Sequence, residues 1–156
     1  MARFIVCRAS AGSGKTYTLV RQFIEAAISS AEELRYRFGH ILAITFTNKA
    51  ANGMKDRIMN RLHAIVTDSA SESRLIGQMV SHLGIDEKEV VRRCAVLESS
   101  ILHNYSQLSV CTIDSFVHRL VKTFAHDLHL PMNFSVLIQN DDLLKYLVDE
   151  LMSLVG

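Results

Sequence analysis

Residues 9–16 read Ala-Ser-Ala-Gly-Ser-Gly-Lys-Thr, and they lie between a short apolar stretch and a longer amphipathic one. Residues 4–7, Phe-Ile-Val-Cys, have the composition of a buried strand. From Gly14 to about Ser29, apolar residues recur at the spacing of one helix face. A strand, a glycine-rich turn and a helix in this order match the phosphate-binding loop pattern G-x-x-x-x-G-K-S/T, with Ala9 at the position of the first glycine.

The glycines and the charged end of this loop explain how it would hold a nucleotide. Gly12 and Gly14 can adopt positive φ, so that successive backbone N–H groups point at phosphate oxygens. The positive end of the following helix dipole adds to this attraction. Lys15 is expected to reach the β- and γ-phosphates, and the Thr16 hydroxyl is expected to coordinate Mg²⁺. The sequence therefore predicts nucleotide binding by residues of this loop: Ala11, Gly12, Ser13, Gly14, Lys15 and Thr16.

The rest of the chain alternates predicted strands with predicted helices. The apolar runs 41–46 and 108–113 are typical of buried strands. Thr47 is a good N-cap for a helix whose apolar stripe contains Ala50, Met54, Ile58 and Leu62. Further helices are predicted over 74–83, 86–104, 115–128 and about 140–155, the first two separated by Gly84 and Asp86. This order indicates an α/β fold with a parallel sheet and a large helical share.

Composition bounds the class of protein. The chain has 156 residues, of which 49% are hydrophobic and 21% charged, so it should bury the core of one domain. Its net charge of +1 argues neither for nor against a nucleic-acid partner. No apolar run reaches membrane-spanning length, and the N-terminus lacks a signal-peptide pattern. The three cysteines form no C-x-x-C pair. We therefore expect a cytoplasmic protein with reduced thiols and no membrane association.

Two further segments carry a resemblance to a known family. Residues 44–51 read Ile-Thr-Phe-Thr-Asn-Lys-Ala-Ala, and residues 112–116 read Thr-Ile-Asp-Ser-Phe. With the loop at 9–16, they resemble the Walker A motif, motif Ia and motif Ib of superfamily 1 DNA helicases of the UvrD/Rep/RecB/AddA type. The string at 44–51 is long and unusual, and the resemblance extends over about residues 3–128. It implies a P-loop NTPase fold, namely a partial RecA-like helicase domain 1A.

The resemblance also implies a domain organisation and a function. The whole chain, 1–156, would be a partial N-terminal ATP-binding helicase domain, with a helical insertion at about 64–107. The helix at about 140–155 would lead into further parts of a longer protein. That protein would be an ATP-dependent DNA helicase or translocase, with or without a nuclease domain. Its partners would be single-stranded DNA and a nuclease or helicase subunit.

Site residues follow from the same resemblance. ATP and Mg²⁺ would be the cofactors, with Lys15 and Thr16 as catalytic residues and Thr16 as the Mg²⁺ ligand. Tyr17 follows the loop where relatives often place a residue that packs on the adenine. The predicted contacts to single-stranded DNA are Phe46, Thr47, Asn48, Ser115 and Arg119. An aromatic residue such as Phe46 suits that task because every base offers a π face.

Some positions depart from the family pattern. Gly53 stands where relatives usually carry an acidic residue, and Asp114 replaces a common histidine. No Asp-Glu pair follows an apolar strand, although phosphoryl transfer needs an acidic metal partner and an arginine. We therefore expect the chain alone to bind nucleotide weakly and to hydrolyse essentially none.

Alternatives remain open on the sequence alone. Asp114 follows the apolar run at 108–113 and could serve as a Walker B carboxylate, which would suit a complete small P-loop kinase or NTPase. A non-catalytic nucleotide-binding module is the other alternative. Phe46 could be a core residue instead of a DNA contact, and for Phe116 the core is the favoured location.

Overall fold

The computed structural model describes residues 14–125, 146–148 and 150–152. The described helices and strands are α1 (Lys15–Ile28), β1 (Ala43–Thr45), α2 (Asn48–Thr67), α3 (Ser73–Leu83), α4 (Glu87–His103), β2 (Val110–Thr112) and α5 (Ile113–Thr123). Short 3₁₀ turns occupy Arg37–His40 and Tyr105–Gln107. The predicted strand at 4–7, the loop before Gly14 and most of the predicted last helix lie outside the described residues. The chain divides into two compact units, Met1–Ile113 and Asp114–Gly156.

Strands β1 and β2 form a parallel pair, as the alternation of strands and helices predicts. Ala43 pairs with Val110 and Thr45 with Thr112, and α2, α3 and α4 form the crossover between them. The strands are shorter than the predicted runs at 41–46 and 108–113. The difference at the second strand arises because α5 begins at Ile113, directly after β2 and before the predicted helix start at Ser115.

Helix α2 begins where the sequence predicts. The Thr47 side chain accepts a hydrogen bond from the Ala50 N–H at 3.1 Å, so Thr47 is the N-cap. The predicted apolar stripe is wrong at one position, because Ala50 is exposed and Ala51 is buried in its place. The buried positions step by three or four residues around one face, and Ala50 lies outside that face in the first turn. The buried face consists of Ala51, Met54, Ile58, Leu62 and Ile65.

Helices α3 and α4 also have the predicted ends. Gly84 ends α3 with φ 67°, in the left-handed region that favours glycine. Asp86 caps α4 by accepting a hydrogen bond from the Glu89 N–H at 2.7 Å. These local signals fix the boundary between the two helices.

The core of the first unit lies where α1, α2, α3 and α4 pack together and against the strand pair. Phe38 is fully buried in it, although the sequence around it is polar and gave no signal of a core residue. Cys94 is also fully buried, and this burial raises the pKa of its thiol to about 12. Cys94 is therefore a small buried thiol. The largest fully buried side chains include Ile24, Ile28, Ile58, Leu62, Ile65, Met79, Leu97 and Ile101.

An ion-pair cluster attaches α4 to the end of α1. The Arg93 side chain, 11% exposed, pairs with Glu89 at 2.7 Å, and its guanidinium donates a hydrogen bond to the Ile28 carbonyl at 2.8 Å. Arg92 donates two further hydrogen bonds to Glu89 at 2.7 Å. The hydrogen bonds from Arg92 and Arg93 lower the pKa of Glu89 from 4.5 to about 2.

We expect this cluster to make stability depend on pH in the acid range. Because the pKa of Glu89 is lower in the folded protein, its ionised form stabilises the fold above pH 4.5, and this contribution is lost as the pH falls towards 2. Glu89→Gln should therefore reduce the loss of unfolding free energy between those pH values, as measured by urea denaturation at a series of pH values. Glu87→Gln, an exposed glutamate of the same turn, is the control. An unchanged pH profile in Glu89→Gln would contradict the assignment.

Gly53, inside α2, allows a test of how much a glycine destabilises that helix. A Cβ built at Gly53 meets no atom within 4 Å, so alanine fits without a clash. Gly53→Ala should raise the unfolding free energy by about 0.5–1 kcal/mol, because alanine loses less backbone entropy in a helix. Gly84→Ala is the matched control and should lower stability, since its φ of 67° is strained for alanine. Chemical denaturation of both variants measures whether the unfolding free energy rises in Gly53→Ala and falls in Gly84→Ala.

Candidate nucleotide-binding site

Helix α1 begins directly after the last glycine of the predicted phosphate-binding loop. Gly14 is the N-cap, with φ 78° and ψ 17°, a left-handed conformation that other residues adopt only with strain. Its carbonyl accepts a hydrogen bond from the Thr18 N–H at 2.9 Å, which is the first bond of the helix. N–H groups of a first helical turn have no acceptor within their own helix, so they can face an anion. The predicted loop residues Ala11, Gly12 and Ser13 lie outside the described residues.

A cleft of about 610 Å³ opens beside this helix start. Its volume lies within the range of small-molecule sites, roughly 300–1,000 Å³, and is therefore large enough for a nucleotide. Residues from α1 and α2 line it, together with one carboxylate from the turn before α3. They are Gly14, Lys15, Thr16, Tyr17, Val20, Arg57, Asn60, Arg61 and Glu72. The cleft thus brings together the predicted residues Gly14, Lys15, Thr16 and Tyr17.

Tyr17 and two residues from elsewhere in the chain form one contact group in this cleft. The Arg61 guanidinium lies over the Tyr17 ring, 5.5 Å from its centroid, which is within the range of a cation–π contact. Arg61 also forms an ion pair with the Glu72 carboxylate. Arg61 is 39% exposed and Glu72 12% exposed, so the arginine keeps accessible surface while its partner is nearly buried.

The cleft residues of α2 and Glu72 were not predicted as site residues. Asn60 and Arg61 follow Arg57 by three and four residues, so both lie next to it on the surface of the helix. That spacing is the sequence feature from which these residues could have been predicted to lie together. For Glu72 there was no local signal, because only the packing of the turn before α3 brings it to the cleft.

The segment predicted to contact DNA lies at the junction between β1 and α2. Phe46 is 91% exposed, so it is not a residue of the core. Thr47 and Asn48 are exposed as well. The Thr47 carbonyl accepts a hydrogen bond from the Thr45 hydroxyl at 3.1 Å, and together with the N-cap bond this fixes the turn. The fold therefore presents Phe46 on an ordered junction instead of burying it.

The other predicted DNA contacts lie in the second unit, on α5. Ser115 and Arg119 are exposed and four residues apart, so they share one face of that helix. Phe116 is partly buried. Asp114 lies in the first turn of α5, where an acidic side chain suits the helix dipole. The strand before it ends at Thr112, so Asp114 does not stand at the strand end that the kinase alternative assumed.

Metal-ion clusters and membrane-spanning helices are both absent from the described residues. No group of three or more His, Cys, Asp or Glu side chains among them could hold a metal ion. No helix in the same part of the chain is both long and apolar enough to cross a membrane.

The parallel strand pair, the many helices and the glycine-led helix start are those of an α/β P-loop domain. The model of the UvrD/REP helicase N-terminal domain family matches residues 2–154, and the chain belongs to this family. This confirms the family and fold class that the three sequence motifs predict. It does not favour the alternatives of a small kinase or a stand-alone binding module.

Curated relatives match over most of the chain. It is 30% identical over 132 residues to a subunit of the ATP-dependent helicase/nuclease of Clostridium kluyveri, covering 85% of this chain and 9% of that protein. It is 29% identical over 140 residues to the protein of the same description in Bacillus cytotoxicus, covering 90% of this chain and 9% of that one. No solved structure matches significantly. The chain thus spans about a tenth of the length of these relatives.

Proposed function

We propose that this chain is the ATP-binding segment of an ATP-dependent DNA helicase or translocase that acts on single-stranded DNA. The observation that carries the proposal is the cleft at the start of α1, which is lined by Gly14, Lys15 and Thr16. Membership of the UvrD/REP helicase N-terminal domain family supports it. So do the descriptions of the matched relatives as ATP-dependent helicase/nuclease subunits.

ATP and Mg²⁺ fit the residues of this cleft. Because Glu72 is paired with Arg61, Lys15 and Arg57 leave an excess of positive charge in the lining, which attracts a polyphosphate. In this proposal Lys15 binds the β- and γ-phosphates, and the Thr16 hydroxyl is a ligand of Mg²⁺. The bound metal would neutralise negative charge on the phosphate oxygens. The backbone N–H groups of Ala11, Gly12, Ser13 and Gly14 complete the cradle in this assignment.

Lys15 and Thr16 are the catalytic residues that we assign to this chain, since both would touch the reacting phosphates. Hydrolysis also needs an acidic metal partner and an arginine that stabilises the developing charge. Neither of the two Asp-Glu pairs in the sequence, Asp86-Glu87 and Asp149-Glu150, follows a predicted strand. We therefore propose that these 156 residues bind ATP and that turnover uses groups contributed from outside them.

Single-stranded DNA is the proposed partner of the β1–α2 junction. An exposed ring such as Phe46 can stack on any base, which gives binding without sequence preference. Thr47 and Asn48 would hydrogen-bond the strand beside it, and Ser115 and Arg119 of α5 are proposed as further contacts. Because each of the relatives is described as one subunit of a helicase/nuclease, we also propose that the protein partner is a helicase or nuclease subunit.

The proposed domain assignment has three parts. The whole chain, 1–156, forms part of an N-terminal ATP-binding helicase domain in this assignment. The proposed helical insertion at about 64–107 includes α3 and α4. The segment at about 140–155 continues towards further parts of the protein.

Lys15→Ala tests nucleotide binding. Removal of the ammonium group should abolish binding of ATP with Mg²⁺, because the β- and γ-phosphates lose their cation. Isothermal titration calorimetry of the 156-residue chain measures the affinity. Lys88→Ala, an exposed lysine on α4 outside the cleft, is the matched control. Unchanged affinity in Lys15→Ala would overturn the site assignment.

Phe46→Ala tests the DNA contact. If the ring stacks on a base, its loss should weaken binding to a single-stranded oligonucleotide by roughly 1–3 kcal/mol, measured by fluorescence anisotropy at fixed salt. Because Phe46 is 91% exposed, the unfolding free energy should remain within about 0.5 kcal/mol of the wild-type value. Tyr36→Ala, another highly exposed aromatic, is the control and should leave DNA binding intact. Equal DNA affinity in wild type and Phe46→Ala would remove this residue from the proposed interface.

A further inference from the structure

We infer that the Arg61 guanidinium is the surface on which the purine base of the bound nucleotide stacks, and that Tyr17 and Glu72 are positioning residues that hold it. The inference rests on the proposed nucleotide binding and adds the residue that recognises the base. It also revises the prediction that Tyr17 itself contacts the adenine. Three contacts within the cleft carry it.

The first contact accounts for the Tyr17 ring. Tyr17 is partly buried and packs against the hydrophobic core. Arg61 lies over the ring at 5.5 Å from its centroid. A base would have to displace Arg61 to reach the ring face that the guanidinium covers. The Arg61 guanidinium, which already lies over Tyr17, is therefore the more accessible surface for a base to stack on.

The second contact fixes the orientation of this platform. Glu72 is 12% exposed and accepts a hydrogen bond from the Arg61 guanidinium, so the anchor is nearly buried. Glu72 is also the N-cap residue of α3, where the helix dipole favours a negative charge. A guanidinium held both by a ring and by a carboxylate loses little further freedom when a base binds.

The third observation is that Arg61 borders the cleft in which the nucleotide would bind. Arg61 lines the same cleft as Lys15 and Thr16, and its side chain remains 39% exposed. The charge of Arg61 is balanced by Glu72. Its guanidinium therefore interacts with a ligand mainly through its planar face. Planar guanidinium groups stack on aromatic rings, and a purine presents a larger π face than a pyrimidine. A base bound there would form a stack of base, guanidinium and tyrosine.

The test separates the base from the phosphates. The affinities of ATP and of inorganic tripolyphosphate, each with Mg²⁺, are measured by calorimetry on the 156-residue chain. The readout is the ratio of the two affinities, because only ATP has a base. Arg61→Lys keeps a cation beside Glu72, so the fold should persist, but it removes the plane. We expect this variant to lower the ratio by about tenfold and to leave tripolyphosphate binding unchanged.

Three further variants complete the experiment. Tyr17→Leu and Glu72→Gln should each lower the ratio, because each releases Arg61 from its position. Arg37→Lys is the matched control, since Arg37 forms an ion pair with Glu33 at 2.6 Å outside the cleft, and it should change neither affinity. Melting temperatures of all variants show that they are folded.

The outcomes distinguish this inference from the proposed function. An unchanged ratio in Arg61→Lys, with binding lost in Lys15→Ala, overturns the role of Arg61 and leaves nucleotide binding intact. Equal weakening of both ligands in Arg61→Lys means that Arg61 binds phosphate, which also overturns it. If Lys15→Ala still binds both ligands, the proposed function itself fails.

Discussion

The position of helix α1 is the constraint on which the proposed site depends. Its inner face buries Phe23, Ile24 and Ile28 among α2, α3 and α4, and each large apolar side chain buried in this way contributes roughly 1.5–3 kcal/mol. The same helix must begin abruptly, and Gly14 permits this by adopting φ 78°. Packing thus holds the start of α1 at a fixed place, where Gly14, Lys15 and Thr16 line the cleft.

Helix α2 connects the two proposed functions through one rigid element. Its N-terminal end follows Phe46 on the exposed junction with β1, and its third and fourth turns contribute Arg57, Asn60 and Arg61 to the cleft. The distance along the helix axis from Asn48 to Arg61 is about 20 Å at 1.5 Å per residue. The buried face between these points packs on the core, so both ends belong to one packed helix. A shift of α2 on nucleotide binding would therefore also move the segment that we assign to DNA.

The parts of the fold that local chemistry controls could be predicted from sequence. Thr47, Gly84 and Asp86 each end or begin a helix for a reason contained within a few residues, and all three are confirmed. Phe38 could not be predicted as a core residue, because its burial depends on helices that are distant in the sequence. The same applies to the contact of Arg61 with Tyr17 and Glu72, since the three residues lie on different elements. The sequence motifs predicted the residues at the phosphate end of the site. The residues that line the rest of the cleft could be identified only from the tertiary structure.

The distribution of ion pairs explains why a net charge of +1 says little about this chain. Several of its arginines serve the fold: Arg21 pairs with Glu25, Arg37 with Glu33, and both Arg92 and Arg93 with Glu89. These pairs use carboxylates that lie outside the cleft. Among the described lining residues of the cleft, three cations face one carboxylate, and that carboxylate is held by Arg61. The chain is thus almost neutral overall but locally positive where a triphosphate would bind, and a short-range field of this kind is what an anion site requires.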